Sequence, residues 1–292
     1  MYTDLFGKNR VKVGLHHHTT VSDGRKTPEE VIAIYRAAGY DAIALTDHWK
    51  FGAEQHFEDF TVYSGDEINV GGSDGSGGVY HILCLFAGEE PVVDKKAPAQ
   101  DVIDAIHRAG GLAVLAHPAW SLNTPEMIKA LRGLDGTEIF NTVSRRGMSR
   151  RGDSSLIVDM LASAGYVLPL FAADDSHFYG EGNYADSPNA FIMVESDSAD
   201  AAAVRAAIEA GRFYASEGPE VHLAVRDGKG IVDCSPASEV VLFSNGVYSE
   251  RVTVGEDITH VEYTPLKWEK YLRARVTDKD GKQAWSQILP LS

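Results

Sequence analysis

Between about residues 10 and 215, short apolar runs alternate with helical patterns, and nearly every apolar run ends in a histidine or a carboxylate. VKVGL (11–15) reads as a strand. Thr27-Pro28-Glu29-Glu30 then opens a helix: Thr27 suits the N-cap, Pro28 the first helical position, and Glu30 completes a capping box. Val31, Ile32, Ile34, Tyr35 and Ala38 follow at helical spacing, and Gly39 suits the stop. DAIAL (41–45), TVYSG (61–65), YHILCLF (80–86), GLAVLA (111–116), GTEIF (136–140), VLPLFAA (167–173) and NAFIMV (189–194) read as further strands. Residues 98–109, 124–132, 154–164 and 199–210 read as helices. Alternation on this scale implies an α/β fold with a parallel sheet and crossover helices, and the number of units implies a closed or nearly closed barrel.

The character changes at Gly218-Pro219. From 220 onward there are short alternating strands and no convincing helix: VHLAVRD, EVVLFSN, RVTV, HVEYTP and YLRARVTDKDG. Ser244-Asn245-Gly246 and Asp278-Lys279-Asp280-Gly281 mark hairpin turns. The expected division is 1–219 as the α/β domain and 220–292 as a small all-β, sandwich-like domain. The one low-complexity stretch, GGSDGSGG (71–78), reads as a mobile loop.

Charge narrows the function classes. The chain of 292 residues carries a formal net charge of -15. Residues 220–292 hold 11 acidic and 9 basic side chains, so nearly all of the excess lies in the first domain. Stable nucleic-acid binding is not expected, because it rests on basic side chains neutralising phosphates. A small phosphorylated substrate remains compatible, since bound metals reverse the local potential. The two cysteines, Cys84 and Cys234, lie far apart in strand-like stretches, which fits a reducing compartment rather than a disulfide framework. No run is apolar enough for a signal peptide or a membrane span, and the expectation is a cytoplasmic protein.

The strand ends carry the chemistry. His16 and His18 follow the first strand in LHHHTTVSDG, which Asp23 closes. Asp47 and His48 follow the second in ALTDH, Asp66 and Glu67 end the third run in SGDEI, and His81 lies in YHILCLF. His117 follows AVLA, and Asp175 and His177 follow LFAA. In a parallel αβ barrel the C-terminal strand ends open on one face, so these residues converge there. His16 and His18 are two apart on an extended segment and leave on the same side, able to grip one ion; Asp175 and His177 pair likewise. His17 projects the other way and reads as structural. A single strand-end histidine is ordinarily a satisfied polar residue, and Asp47 on its own is a turn cap. Repetition at successive strand ends in one domain is what chance does not produce. Six histidines with three or four carboxylates exceed one ion's needs, so two or three divalent ions are implied, with Mn, Fe and Zn all suited to these donors.

HHHTTVSDG, ALTDH, GDEI, VLAHP and DDSH resemble the ordered motifs of the PHP (polymerase and histidinol phosphatase) superfamily of metal-dependent phosphoesterases, over roughly 10–215. GRFYASEGPEV (211–221), followed by a β-domain ending near AWSQIL, is similar to the stand-alone two-domain branch that includes CehA/McbA-like, carbaryl-hydrolase-type metallohydrolases. The resemblance implies a distorted (β/α)7 barrel with a dinuclear or trinuclear centre. It implies one ion on His16, His18, Glu67 and Asp175. Glu67 would bridge to a second ion held with His81 and His117, and Asp23, His48 and His177 would hold a third.

The expected activity is hydrolysis of a small phosphorylated metabolite or nucleotide by metal-activated hydroxide, with Glu67 and Asp175 at the reacting centre and His177 or Asp47 as proton donor. There is no G-x-S-x-G elbow for a serine nucleophile. Arg145 and Arg146, in NTVSRRGMSRRGD, and Lys50 are the candidate phosphate contacts, against the alternative of a solvated loop. Glu138 and Asn141 form an E-x-x-N pattern similar to one in the PHP family, and the resemblance implies that they support the site rather than ligate. Trp49, Phe51, Trp120 and Phe178 are candidates for stacking on an aromatic group or for core. The same ligand set suits a carbamate, amide or carboxylic ester equally, and a non-catalytic metal module is the third class. An arginine at the site would favour the phosphoester, an apolar pocket the carbonyl substrate. For the β-domain, covering a barrel edge, forming a homo-oligomer and binding a partner are all open.

Overall fold

The computed structural model describes residues 1–72, 78–180, 187–247 and 251–291, so most of the expected loop at 71–78 lies outside the described residues. The chain begins β1 (Tyr2–Thr3), β2 (Asn9–Gly14), α1 (Pro28–Ala37), β3 (Ala42–Ala44), β4 (Gln55–His56), β5 (Thr61–Tyr63), β6 (Gly65–Gly71) and β7 (Val79–Leu85). It continues through α2 (Ala99–Arg108), β8 (Leu112–Leu115), α3 (Pro118–Ser121), α4 (Pro125–Lys129) and β9 (Gly136–Asn141). After a π-helical turn at Ser144–Met148 come α5 (Ser155–Ser163), β10 (Leu170–Ala173), β11 (Phe191–Glu195), α6 (Ala201–Glu209) and β12 (Phe213–Ser216). The remaining strands are β13 (Val221–Arg226), β14 (Lys229–Phe243), β15 (Val252–Tyr263), β16 (Tyr271–Thr277), β17 (Gln283–Trp285) and β18 (Leu289–Pro290).

The capping box at α1 forms as its sequence dictates: Thr27 Oγ1 accepts from the Glu30 backbone, and Glu30 returns a carboxylate oxygen to the Thr27 N–H at 2.9 Å. The helix buries Val31, Ile32 and Tyr35. α4 stops earlier than its sequence pattern suggests, and a single-turn helix, α3, follows His117.

Two sheets organise the molecule. One runs β13-β14-β16-β17-β12-β11-β2-β3-β5-β4 and the other β10-β9-β8-β7-β6. The sheet is not parallel throughout. β2, β3 and β5 are mutually parallel, as are β8, β9 and β10. β7 runs against both β6 and β8, and β11 against β2. The reason is connection length: β6 and β7 are separated by only residues 72–78, too few for a crossover, so the chain must turn back. Inward side chains from both sheets share one core, in which Val11, Val13 and Ala44 join Leu83, Val114, Ile139 and Leu170. Beyond their strands the sheets are linked by bridges at His17–Ser176 and His48–Glu67, which brings the donor-bearing segments together.

The C-terminal strands extend the first sheet past residue 219, because β17 pairs with both β12 and β16. β14 is far longer than EVVLFSN and passes through Pro236; its ladder with β15 shifts register between Asp233 and Ala237, where a residue without an N–H is tolerated. Arg273, fully buried, makes a bidentate pair with Asp159 of α5 at 2.7 Å for each bond. The Gln287 amide bonds both the N–H and the C=O of Leu170, where β10 begins. Both cysteines are free and buried. No helix among the described residues is long and apolar enough to cross a membrane.

Candidate metal centre

Residues 15–18 leave β2 in extended form, so alternation sends His16 and His18 to one side and His17 to the other. His17 is buried against the Tyr35 ring at 4.1 Å, with Nδ1 3.0 Å from Ser176 Oγ. Gly14 makes that possible, since a Cβ there would come within 2.4 Å of His17 Nε2. Glu67 reaches the same point from β6, and Asp175 from just beyond β10.

His16 Nε2, His18 Nε2, Glu67 Oε2 and Asp175 Oδ1 meet as a compact group. His16 lies 3.2 Å from Glu67 and 3.3 Å from Asp175; His18 lies 3.0 and 3.2 Å from them; the two imidazole nitrogens are 3.2 Å apart. A cation about 2.0–2.1 Å from each of four tetrahedral donors needs donor separations of about 3.3–3.4 Å. His16 Nδ1 is 2.7 Å from Glu138 Oε1, which places the proton on Nδ1 and turns the Nε2 lone pair toward the group. Glu138 is itself held by the His117 N–H and by Asn141 Nδ2, each at 2.8 Å, and Asn141 Nδ2 also reaches Asp175 Oδ2 at 3.3 Å. The E-x-x-N pattern thus orients the donors from behind.

Glu67 presents two faces. Its Oε2 belongs to this tetrad, and its Oε1 lies 2.8 Å from His81 Nδ1 and 3.3 Å from His117 Nε2. His48 Nδ1 lies 3.3 Å from Oε2. A looser set gathers His18, Asp23, His48 and His177. Asp23 Oδ2 is 3.4 Å from His177 Nε2, and His177 Nδ1 donates to the Asp175 carbonyl at 2.8 Å. His18 already turns Nε2 to the tetrad, so a neutral ring there serves one ion, which leaves Asp23, His48 and His177 for another. His117 (φ 29) and Asp175 (φ 54) hold left-handed backbone.

Electrostatics call for a cation. Burial alone would raise Glu67 and Asp175, but the surrounding imidazoles hold both well below the usual carboxylate range. Burial likewise pushes His16 and His18 down, and the carboxylates outweigh it: His16 sits well above the usual histidine range and His18 is pulled up to about 9. Asp175 Oδ1 and His48 Nδ1 are buried without a hydrogen bond among the described residues. Buried carboxylates that only imidazolium neutralises, with donor lone pairs convergent, are what a divalent ion satisfies. The residues present fit such ions.

A cavity of about 100 Å³ opens onto the cluster, and apart from cluster members its walls are Trp120 and Tyr179. His177 lines it. Asp47 does not: its carboxylate accepts from Thr19 N and Oγ1 at 2.7 Å and from Ser22 N and Oγ at 3.1 and 2.6 Å, clamping the loop that carries Asp23. Arg145 turns to Glu217 (3.3 Å) and Arg146 to Asn189 (3.1 Å), and Lys50 is exposed; none of the three lines the cavity. Trp49 and Phe51 pack on one apolar core and Phe178 on another. Trp120 lies edge-on to His81 and His117. Sequence reading missed Tyr179, whose hydroxyl donates to the Asp23 carbonyl at 3.1 Å, and Arg25, whose guanidinium lies 5.2 Å from the Tyr179 ring and donates to its carbonyl at 3.1 Å. The adjacency of Arg25 to Asp23-Gly24 was the one available signal.

No family model matches the chain, and no curated protein does. Among solved structures it is similar to a two-domain protein from Bacteroides vulgatus described as containing a predicted PHP-like metal-dependent phosphoesterase. The TM-score is 0.55 at 14% identity, over 100% of this chain and 97% of that one. An amidohydrolase from Chromobacterium violaceum aligns over 56% of this chain and 87% of its own (TM-score 0.42, 18% identity). A lesion-specific endonuclease from Pyrococcus furiosus aligns over 69% and 56% (TM-score 0.46, 15% identity). The chain has the fold of a two-domain PHP-like protein along its whole length.

Proposed function

We propose that the chain is a PHP-type metal-dependent hydrolase, that its first domain is a distorted seven-stranded barrel, and that its substrate is a small phosphoester. The observation that carries the reading is Glu67: one buried carboxylate with Oε2 in a four-donor group and Oε1 against His81 and His117. That arrangement suits two ions sharing a ligand, and Asp23, His48 and His177 suit a third.

When bound, divalent ions supply a water of lowered pKa and neutralise charge on the scissile group. The chain's residues do the rest. Glu138 fixes the His16 tautomer, Asn141 steadies Asp175, and Asp47 holds the 19–22 loop as a positioning residue. Of the two proton-donor candidates, only His177 lines the cavity, and since its Nδ1 donates to the Asp175 carbonyl it could give a proton only from Nε2, while that nitrogen holds no third ion.

A second reading, a carbamate, amide or carboxylic ester substrate, is favoured by one observation: the cavity is walled by Trp120 and Tyr179 and by no lysine or arginine. On the first reading, phosphate would have to be recognised by the metals alone. The deciding experiment is metal analysis of the purified protein with turnover of phosphomonoesters, phosphodiesters and aryl carbamates, with and without added manganese. Phosphate release with two or three ions per chain supports the first reading. Carbamate turnover alone transfers the assignment to the second. Fewer than two ions under replete conditions sinks both.

A further inference from the structure

We propose that a second small-molecule site lies on the outer face of the first sheet and takes an organic carboxylate with an apolar body. β11 lies between β2 and β12, with Met193 paired to Lys12 on one side and Tyr214 on the other. Alternation sends Val11, Val13, Ile192 and Val194 into the core and leaves Lys12, Phe191, Met193 and Tyr214 on the outer face. Met1, Gly39 and Asp41 wall that face on the α1 side, and Tyr2, Gly218, Glu220 and Ser235 complete the lining. Between them is a cavity of about 330 Å³, against about 100 Å³ at the donor cluster. Its volume lies at the lower end of the range for small-molecule pockets.

The polar groups decide the ligand's charge. Lys12 Nζ lies 4.0 Å from the Tyr40 ring centroid and 4.4 Å from that of Phe191, and donates to the Ala38 carbonyl at 3.3 Å. Among the described residues no carboxylate hydrogen-bonds it. Asp41 is engaged by the Lys12 backbone N–H and the Met1 amine, and Glu220 by Tyr2, Leu5 and His222. Lys282 lies across Gly218, where an added Cβ would meet its Cδ at 3.2 Å. Burial lowers the Lys12 pKa; Asp174 opposes this, Lys282 adds to the lowering, and Asp41 opposes it. Ser235 Oγ accepts the Glu220 N–H and keeps a hydroxyl proton to offer. Lys12 lines the cavity and the Lys282 chain crosses Gly218 at its rim, while the two lining carboxylates, Asp41 and Glu220, are already engaged, so the cavity fits one anionic head. Phe191, Met193 and Tyr214 offer the surface for an apolar body.

The test is calorimetric titration of the full chain with phenylacetate and with its neutral counterpart phenylacetamide. Phenylacetate is expected to bind at least tenfold more tightly. Lys12→Met should erase that preference, and Lys282→Gln, a change at an exposed position that cannot unfold the chain, should reduce it severalfold. Met193→Trp, which fills the cavity, should abolish binding of both compounds. His16→Ala should leave the affinity unchanged, since the donor cluster is elsewhere. Equal affinity for acid and amide, an unchanged preference in Lys282→Gln, undiminished binding in Met193→Trp, or loss in His16→Ala would each overturn the proposal, as would no binding at all.

Discussion

The tetrad around His16 and the open set around Asp23 belong to one cluster, yet the protein holds them differently. In the tetrad every side chain is 7% exposed or less, donor separations are 3.0–3.3 Å, and Glu138 and Asn141 brace the donors from behind. In the open set the Asp23 side chain is 47% exposed, separations are 3.4–3.5 Å, and the bracing comes from the Asp47-clamped loop and from Tyr179. Preorganised donors lose little freedom on binding an ion; mobile, hydrated ones lose more. The tetrad should therefore fill first and hold its ion longest.

The largest effect that would break this comparison comes from Glu67. Glu67→Ala removes the carboxylate shared by both inner groups, and kcat/KM is expected to fall by ~10³ or more, since metal stabilisation is worth several kcal/mol. Metal analysis should show both inner ions reduced; loss of one alone would show that Glu67 does not bridge. Glu138→Gln keeps every donor but slackens the His16 tautomer. Metal affinity should weaken by about 10–100-fold, with most activity recovered at saturating metal.

Asp23→Ala acts on the open set only. A fall of about tenfold in kcat/KM is expected with tetrad occupancy unchanged, on the general-acid scale or below; depletion of all ions would mean the two sets are one unit. The pH dependence sharpens the same contrast. In the metal-free chain His18 is raised to about 9 from an ordinary 6.5, so its contribution to stability is complete below about 6.5 and is lost as pH rises through about 9. The ion must displace that proton, so metal affinity should climb across the window while the metal-free melting temperature falls. A metal-free melting temperature that rises with pH there would contradict the charge balance described for the tetrad. The smallest effect belongs to Lys50→Ala and Arg146→Ala, which line neither set, with steady-state rates expected within about threefold of the parent.

The residue types at the strand ends were legible because a metal cluster needs lone pairs, and few side chains supply them. Glu138 was legible only through the family resemblance, whose E-x-x-N pattern it shares with Asn141. Direction was not. Arg145 and Arg146 announce charge, but the π-helical turn at Ser144–Met148 aims them at Glu217 and Asn189. Asp47 announces a carboxylate, and only the packed loop reveals that Thr19 and Ser22 occupy it. Tyr179 gave no signal, because its place at the cavity depends on the left-handed turn at Phe178. In the fold, the period of the strands was readable. Their sense was not, since β7 reverses through a link whose length matters more than its composition. Pro236 hid half of β14, because a bulge can absorb a proline that a regular ladder rejects.

The left-handed backbone at His117 and Asp175 limits the donor alphabet itself. Such a conformation costs most residues of order 1–3 kcal/mol, and histidine, aspartate and asparagine are among the types that adopt it most readily. Cysteine is not among them. At these two positions a thiolate would have to bear the strain or bend the chain, so main-chain shape disfavours soft, sulfur-loving donors there before ligand chemistry is consulted.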